Sequence, residues 1–170
     1  IANHDVHIQQ NWPWAERRAT LQTHAPYTDG SVSIATSART AVTGTSTLWA
    51  TDADALGMAN ARAGGRMSFS GTLDPYTVDS VTSDTALLLS TRWIGDTLTA
   101  SAYTYYEDEY DLATDFFRMV DARQFTDVIN IPIIGRQEFY RRFPRNAVPG
   151  TPTVCTLIDL GPGTSTTARP

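Results

Sequence analysis

The clearest pattern in this chain is a series of short segments, between residues 30 and 106, in which apolar and polar residues alternate. Residues 31–36 and 76–81 show it best, and turn-forming stretches such as 71–75 separate such segments. A period of two places the apolar side chains on one face of a strand. The pattern predicts a mainly β fold of the α+β class, with a small β-sandwich or barrel module at 30–106 and short flanking helices.

The module contains two similar segments, 36–49 and 82–93, and each reads as a polar turn, a strand and a final tryptophan. We expect these tryptophans, Trp49 and Trp93, to lie in the core of the module. Two copies are too few for a solenoid. We therefore interpret the similarity as one type of hairpin formed twice.

The segment before the module, residues 1–29, is predicted to contain the end of a helix at 1–10 and a first strand at 17–23. Trp12 and Trp14 lie on either side of Pro13, and a proline disfavours helix in the residue before it. The two tryptophans are either core anchors or an exposed aromatic pair that grips a neighbouring subunit. Within the module, Asp52 or Asp54 is placed to cap a short helix that ends at 64–65.

Residues 107–160 complete the folded part, and they begin with an acidic corner, defined here as residues 107–115. Its carboxylates belong to Glu107, Asp108, Glu109, Asp111 and Asp115. Asp111 or Thr114 is placed to cap a helix, because acidic residues favour the first turn. Leu112, Phe116 and Val120 recur at a spacing of four and would form its apolar edge.

Three further elements are predicted after this helix. Residues 126–134 are expected to be extended, 135–143 to form a helix, and 151–160 to form a strand before an unstructured, flexible tail at 161–170. In the helix we expect Phe139, Tyr140 and Phe143 to face inward. The cations of this region are expected to face outward: Arg136, Arg141, Arg142 and Arg145.

The charged residues favour protein contacts over nucleic-acid binding. The net charge is −5, whereas a dedicated nucleic-acid binder presents a basic face. All 13 positive side chains are arginine, which makes planar, bidentate contacts with carboxylates. Cys155 is the only cysteine, so an intramolecular disulfide is impossible, and we expect it to be a small buried residue. No apolar run approaches the roughly 20 residues of a membrane span, and we expect neither a membrane contact nor a secretion signal.

The sequence offers no motif for catalysis, a metal or a cofactor, so we expect a protein that is not an enzyme. There is no G-x-S-x-G and no glycine-rich phosphate loop. His4 and His7 could share a helix face, but a third metal ligand at a suitable spacing is missing. The acidic corner lacks the pattern of a calcium loop. It is either a solvated helix start or a partner for arginines of another subunit.

The order of segments resembles that of phage head-to-tail adaptor (connector) proteins, including the tail tubular protein A-like adaptors of short-tailed phages. The resemblance covers roughly residues 11–143. It is carried by Asn11-Trp-Pro-Trp14, Val42-Thr-Gly-Thr-Ser-Thr-Leu-Trp49 and Tyr110-Asp-Leu-Ala-Thr-Asp-Phe116. It implies a structural virion protein at the head–tail junction, made in the cytoplasm of the host bacterium. Such a protein forms a ring of identical subunits, often twelve, between the portal protein and tail proteins and around the DNA channel. It also carries a helical bundle against the β-module.

A ring requires head-to-tail contacts, in which one face of a subunit meets a different face of the next. The acidic corner and the arginine-rich segment 136–145 are the candidate faces. A wall that is not basic would let DNA slide, because each phosphate contact by arginine or lysine adds affinity. Two alternatives remain: a trimeric attachment module of a tail fibre or baseplate, and a virion-borne wall hydrolase with paired carboxylates.

Overall fold

The computed structural model of the protein describes residues 18–52, 57–72, 74–112, 116, 119, 121–123, 130–143, 152–158 and 167–169. The fold is mainly β, as predicted. In chain order its elements are β1 (Ser31–Ile34), β2 (Ala41–Thr45), β3 (Arg66–Phe69), β4 (Tyr76–Ser83), β5 (Ala86–Leu89), β6 (Leu98–Ser101), β7 (Tyr103–Tyr106), β8 (Tyr110–Asp111), α1 (Arg136–Arg142), β9 (Thr156–Ile158) and β10 (Thr167–Arg169).

The first seven strands form one curled antiparallel sheet in the order β6-β1-β2-β5-β4-β3-β7. The two edge strands, β6 and β7, are consecutive in the chain and are separated only by Ala102. The sheet must therefore curl until its two edges approach each other at that residue. The Ser70 N–H donates to the Ala102 carbonyl there, with an N–O distance of 3.0 Å. The result is a half-barrel that matches the module predicted at 30–106.

The core fills the concave side of this sheet, and the period-two pattern explains why. In β1, Val32 and Ile34 are buried, while Ser31 and Ser33, which alternate with them, are partly exposed; β3 repeats this arrangement. Trp49 is 0% exposed and Trp93 is 6% exposed, so both predicted core tryptophans are confirmed. Each fully buried large side chain contributes roughly 1.5–3 kcal/mol relative to exposure. The half-barrel therefore holds most of the apolar burial in the described part of the chain.

The two similar segments pair with each other through β2 and β5, which run antiparallel. The backbone N–H of Trp49 donates to the Asp84 carbonyl at 3.4 Å, and that of Trp93 donates to the Arg39 carbonyl at 2.7 Å. The backbone of each tryptophan is thus hydrogen-bonded to the turn that precedes the strand of the other segment. The repeated sequence forms a local two-fold arrangement around the β2–β5 pair.

The remaining strands form a three-stranded antiparallel sheet in the order β8-β10-β9, and α1 packs against β9. The predicted helix at 135–143 is confirmed by α1, in which Phe139 is buried. Tyr140 and Phe143 were expected to face inward, but they are 37% and 38% exposed. A helix of two turns buries a single narrow stripe, and Phe139 occupies it here.

Two predictions in the first part of the chain are wrong. No strand occupies the described residues 18–23. Between residues 18 and 30 the β-pairing is confined to Tyr27, which exchanges two backbone hydrogen bonds of 2.9 Å with Tyr105. Residues 57–65 are not helical. The N–H groups of Asn60 and Ala61 donate to the carbonyls of Thr51 and Trp49, at 3.0 and 2.9 Å. These bonds tie the segment to the half-barrel in place of an internal helix ladder.

Other predictions fail in the second part of the chain. Asp111 does not cap a helix, because it lies in β8 and pairs with Thr167. Among the described residues of 112–123, none is helical, and the alternative cap Thr114 and the apolar position Val120 lie outside the described residues. The tail that was predicted to be flexible contains β10, which pairs with both β8 and β9.

Other predictions for this part of the chain agree with the structure. Asn130 and Ile133 form β-bridges, in agreement with an extended 126–134. Cys155 is buried as expected. Within the described residues no helix has the length and apolar character to cross a membrane.

Candidate functional site: the acidic corner and the arginine helix

The structure places the candidate interface residues in two groups. Glu107, Asp108 and Glu109 form the link from β7 to β8, and Asp111 is the last residue of β8. Arg136, Arg141 and Arg142 belong to α1. The other candidates, Trp12, Trp14, Asp115 and Arg145, lie outside the described residues.

Glu107 is held by an arginine of the half-barrel. The Arg62 Nε donates to Glu107 Oε1 at 2.8 Å, and its Nη2 donates to the other carboxylate oxygen. The Tyr105 hydroxyl donates to Glu107 Oε1 at 2.8 Å and accepts the Arg62 backbone N–H at 2.8 Å. The hydrogen bond that Arg62 donates to Glu107 raises the pKa of the Arg62 guanidinium. Burial, reinforced by the Glu107 carboxylate, raises the pKa of the Tyr105 hydroxyl.

A glycine makes this contact possible. A Cβ on Gly65 would lie 2.2 Å from the Tyr105 hydroxyl, a distance that no side chain could occupy. The absence of a side chain at Gly65 allows the tyrosine to reach the backbone of Arg62. The first carboxylate of the acidic corner is therefore anchored through the core of the half-barrel.

Asp108 and Glu109 share a second arginine, Arg66, in β3. The Arg66 Nε lies 3.2 Å from Asp108 Oδ1, and its Nη2 lies 2.7 Å from Glu109 Oε1. Its Nη1 donates to the Thr77 hydroxyl. Burial alone would lower the pKa of Arg66, but the charges of Asp108 and Glu109 outweigh it and the pKa is raised. Asp108 is only 6% exposed, so its carboxylate is a structural group of the fold.

Sequence reasoning did not identify Arg62 and Arg66 as partners of the corner. They lie 42 to 45 residues before it in the chain. The connection depends on the register of β3 and β7, which pairs Arg66 with Tyr106, the last residue before the corner. Alternation indicates that both segments are strands, but it does not indicate that they are neighbours.

The arginines of α1 face solvent and share one carboxylate. The Arg141 Nε donates to Glu138 at 3.0 Å, and the Arg142 Nε donates to it at 2.6 Å. The side chains of Arg141 and Arg142 remain 76% and 59% exposed. Hydrogen bonds from Arg141 and then Arg142 lower the pKa of Glu138. The Arg136 guanidinium lies 5.7 Å from the centre of the Tyr140 ring, within the range of a cation–π contact.

The two groups have opposite net charge. The described residues of the corner include four carboxylates, of which Glu107, Asp108 and Glu109 contact Arg62 or Arg66; these four carboxylates and two guanidinium groups together carry a charge of −2. On α1, three arginines and Glu138 leave a charge of +2. The corner leads into β8 at one edge of the three-stranded sheet, and α1 packs on β9 at the other edge. The edge strands are about 10 Å apart, since adjacent strands are spaced by roughly 4.8 Å.

Elsewhere the described surface offers little for chemistry. Among the described residues, no three histidine, cysteine, aspartate or glutamate side chains are grouped so that they could hold a metal ion. A shallow groove of about 410 Å³ lies beside residues 59–63 and is lined mainly by alanine. Arg62 is the titratable group among the described residues that line it, and it is engaged by Glu107.

Comparison with family models, curated proteins and solved structures finds no match for this chain. Its function is therefore inferred from its surfaces and from the order of its segments.

Proposed function

We propose that this protein is a structural, non-enzymatic subunit of a phage virion. In this proposal it is a head-to-tail adaptor, and identical chains form a ring between the portal protein and the tail, around the channel through which DNA leaves. The order of the segments 11–14, 42–49 and 110–116 supports the identity of the family. The observation that carries the proposal is the pair of oppositely charged surfaces at the two edges of one small sheet.

A ring needs such a pair, because each of its contacts joins two different faces of the same chain. A surface that matches itself would close a two-fold dimer instead. Exposed arginines beside aromatic side chains are also typical of the centre of protein interfaces. The use of arginine for every basic residue suits such contacts, since guanidinium groups bind carboxylates in a planar, bidentate manner.

The charge of the chain agrees with a role around moving DNA. Each arginine or lysine that contacts a phosphate adds salt-dependent affinity and would retain the polyanion. This chain has a net charge of −5, and in the half-barrel Arg62 and Arg66 are engaged by its own carboxylates. Such a wall would pass DNA without trapping it.

The native mass tests this proposal directly. The chain would be purified alone and with the portal protein of the same virion, and each sample would be measured by mass photometry and imaged by electron microscopy. We expect a large ring, formed by the chain itself or on the portal. A monomer in both samples would refute the adaptor function.

One observation favours a second candidate, a trimeric attachment module of a tail fibre or baseplate. An adaptor of this family would pair its β-module with a helical bundle, whereas the described residues contain one helix of seven residues. A fibre module would form a small oligomer without the portal. A trimeric mass that does not change when the portal is added would favour this candidate over the adaptor.

A further inference from the structure

The exposed surface of α1 combines arginine and aromatic side chains. Tyr140 and Phe143 are more than a third exposed, and so is Ile133, three residues before the helix begins. Arg136 stacks over the Tyr140 ring. Tyrosine, phenylalanine and arginine are enriched at the centres of protein interfaces, where they supply much of the binding energy. This surface, which we call the α1 face, has the composition of a docking surface.

The charge of the α1 face selects an acidic partner. The helix carries +2, and since the whole chain carries −5, the rest of the chain carries −7. Arg141 and Arg142 share the single carboxylate of Glu138, so most of their N–H donors remain available to another acceptor. A second copy of this acidic chain fits that requirement.

The acidic corner presents its carboxylates in two layers. Glu107 and Asp108 are turned toward Arg62 and Arg66, with side chains that are only 8% exposed. Glu109 contacts Arg66 but its side chain is 35% exposed, and Asp111 lies on the exposed side of β8. The inner carboxylates fix the position of the corner, and the outer ones face solvent.

We propose that the α1 face of one subunit docks on the acidic corner of a second copy, where Arg141 and Arg142 contact Glu109 and Asp111. Because the two surfaces lie at opposite edges of the β8-β10-β9 sheet, every subunit can use both at once. Repetition of this contact produces the ring, so the inference rests on the proposed function and specifies its interface.

Charge reversal and charge exchange test this contact. The first variant carries Arg141→Glu and Arg142→Glu, and the second carries Glu109→Arg and Asp111→Arg. The third combines all four substitutions and restores complementary faces. The control carries Arg18→Glu and Arg92→Glu, two exposed arginines elsewhere, and changes the net charge as much as the first variant does. Circular dichroism and thermal unfolding establish that each variant is folded.

We expect the first two variants each to raise the concentration at which half of the chains assemble by at least about tenfold, since like charges in contact oppose binding. The combined variant should recover most of this loss, and the control should assemble like the original chain. If the first variant does not fold, the neutral Arg141→Gln and Arg142→Gln pair takes its place, with a smaller loss expected.

The outcomes separate this inference from the adaptor proposal. If the original chain forms a ring and the first two variants do so equally well, the interface lies elsewhere and only this inference fails. A combined variant that stays as defective as its parents would overturn it as well. If the original chain forms no ring even with the portal, the proposed function itself fails.

Discussion

The buried Trp49 gives the sharpest test of the half-barrel. Its side chain is 0% exposed, and its indole Nε1 donates to the Tyr103 hydroxyl at 2.9 Å. The two rings meet edge to face, with centroids 5.9 Å apart and planes at 81°. The Tyr103 hydroxyl in turn donates to the Asp29 carbonyl at 2.7 Å. One tryptophan therefore joins the loop after β2 to β7 and to the segment that precedes β1.

Trp49→Ala removes this ring from a site without solvent access. Truncation of a buried tryptophan costs about 3–5 kcal/mol, because contacts are lost and a cavity remains. The loss of the edge-to-face pair adds about 0.5–1.5 kcal/mol, and the lost hydrogen bond a further 0.5–1.5 kcal/mol or so. These losses overlap, so we expect a decrease of about 4–5 kcal/mol in the free energy of unfolding. Trp49→Phe keeps a ring in the site and should cost only about 1–2 kcal/mol.

Urea unfolding followed by circular dichroism measures these changes, with the slope of the transition as a check on two-state behaviour. Leu48→Ala is the matched control, because Leu48 is adjacent in the chain but 47% exposed. It should change the free energy of unfolding by less than about 0.5 kcal/mol. A cost below about 1 kcal/mol for Trp49→Ala, or equal costs at the two positions, would refute the placement of Trp49 in the core.

Two further predictions concern the ionisable groups. Arg66→Met should lower the free energy of unfolding by about 3 kcal/mol, because it leaves the buried Asp108 without this partner. The control Arg123→Met breaks a surface pair with Asp121 and should cost less than about 1 kcal/mol; equal costs in thermal unfolding would contradict this. Burial raises the pKa of Tyr103, Tyr105 and Tyr110, so above the ordinary tyrosine pKa of 10.0 the folded state binds more protons than the unfolded state. The contribution of these tyrosines to the free energy of unfolding should therefore be constant up to about pH 10 and fall above it. Tyrosine ionisation is followed by absorbance, and ionisation of all tyrosines near pH 10 without unfolding would count against this.

The half-barrel could be predicted from the sequence because its strands bury one face. Alternation at 31–36 and 76–81 marks residues whose neighbours point to opposite sides, and this is a local property. Trp49 and Trp93 were expected to end two strands; both lie in the core, but β2 and β5 end four residues before them, at Thr45 and Leu89. The register shift between β6 and β1 gave no such signal. Ala100, within β6, adopts a positive φ of 45°, a conformation that alanine rarely takes.

Two of the wrong predictions, the helix at 57–65 and the cap at Asp111, share one physical cause. The alanines at 59, 61 and 63 favour helix, but backbone hydrogen bonds to Trp49, Thr51 and Val78 tie residues 57–65 to other parts of the chain instead. Asp111 carries a typical capping side chain, yet its backbone pairs with Thr167. In both places contacts with distant parts of the chain outweigh local preferences of a few tenths of a kcal/mol per residue. Single-sequence patterns do not contain these contacts.

The ion pairs of the acidic corner are better explained by the positions in which they hold the corner than by any stability that they add to the fold. Replacing a buried ion pair with apolar residues is often neutral or stabilising, because the desolvation of two charges offsets their attraction. A chain selected only for stability would gain little from Arg62 and Arg66. Both arginines instead fix carboxylates of the corner to the half-barrel, at 2.8 Å for Glu107 and 3.2 Å for Asp108. A surface held in place before binding loses less conformational entropy when a partner docks. The pairs with Glu107 and Asp108 would therefore strengthen the proposed contact between subunits without taking part in it.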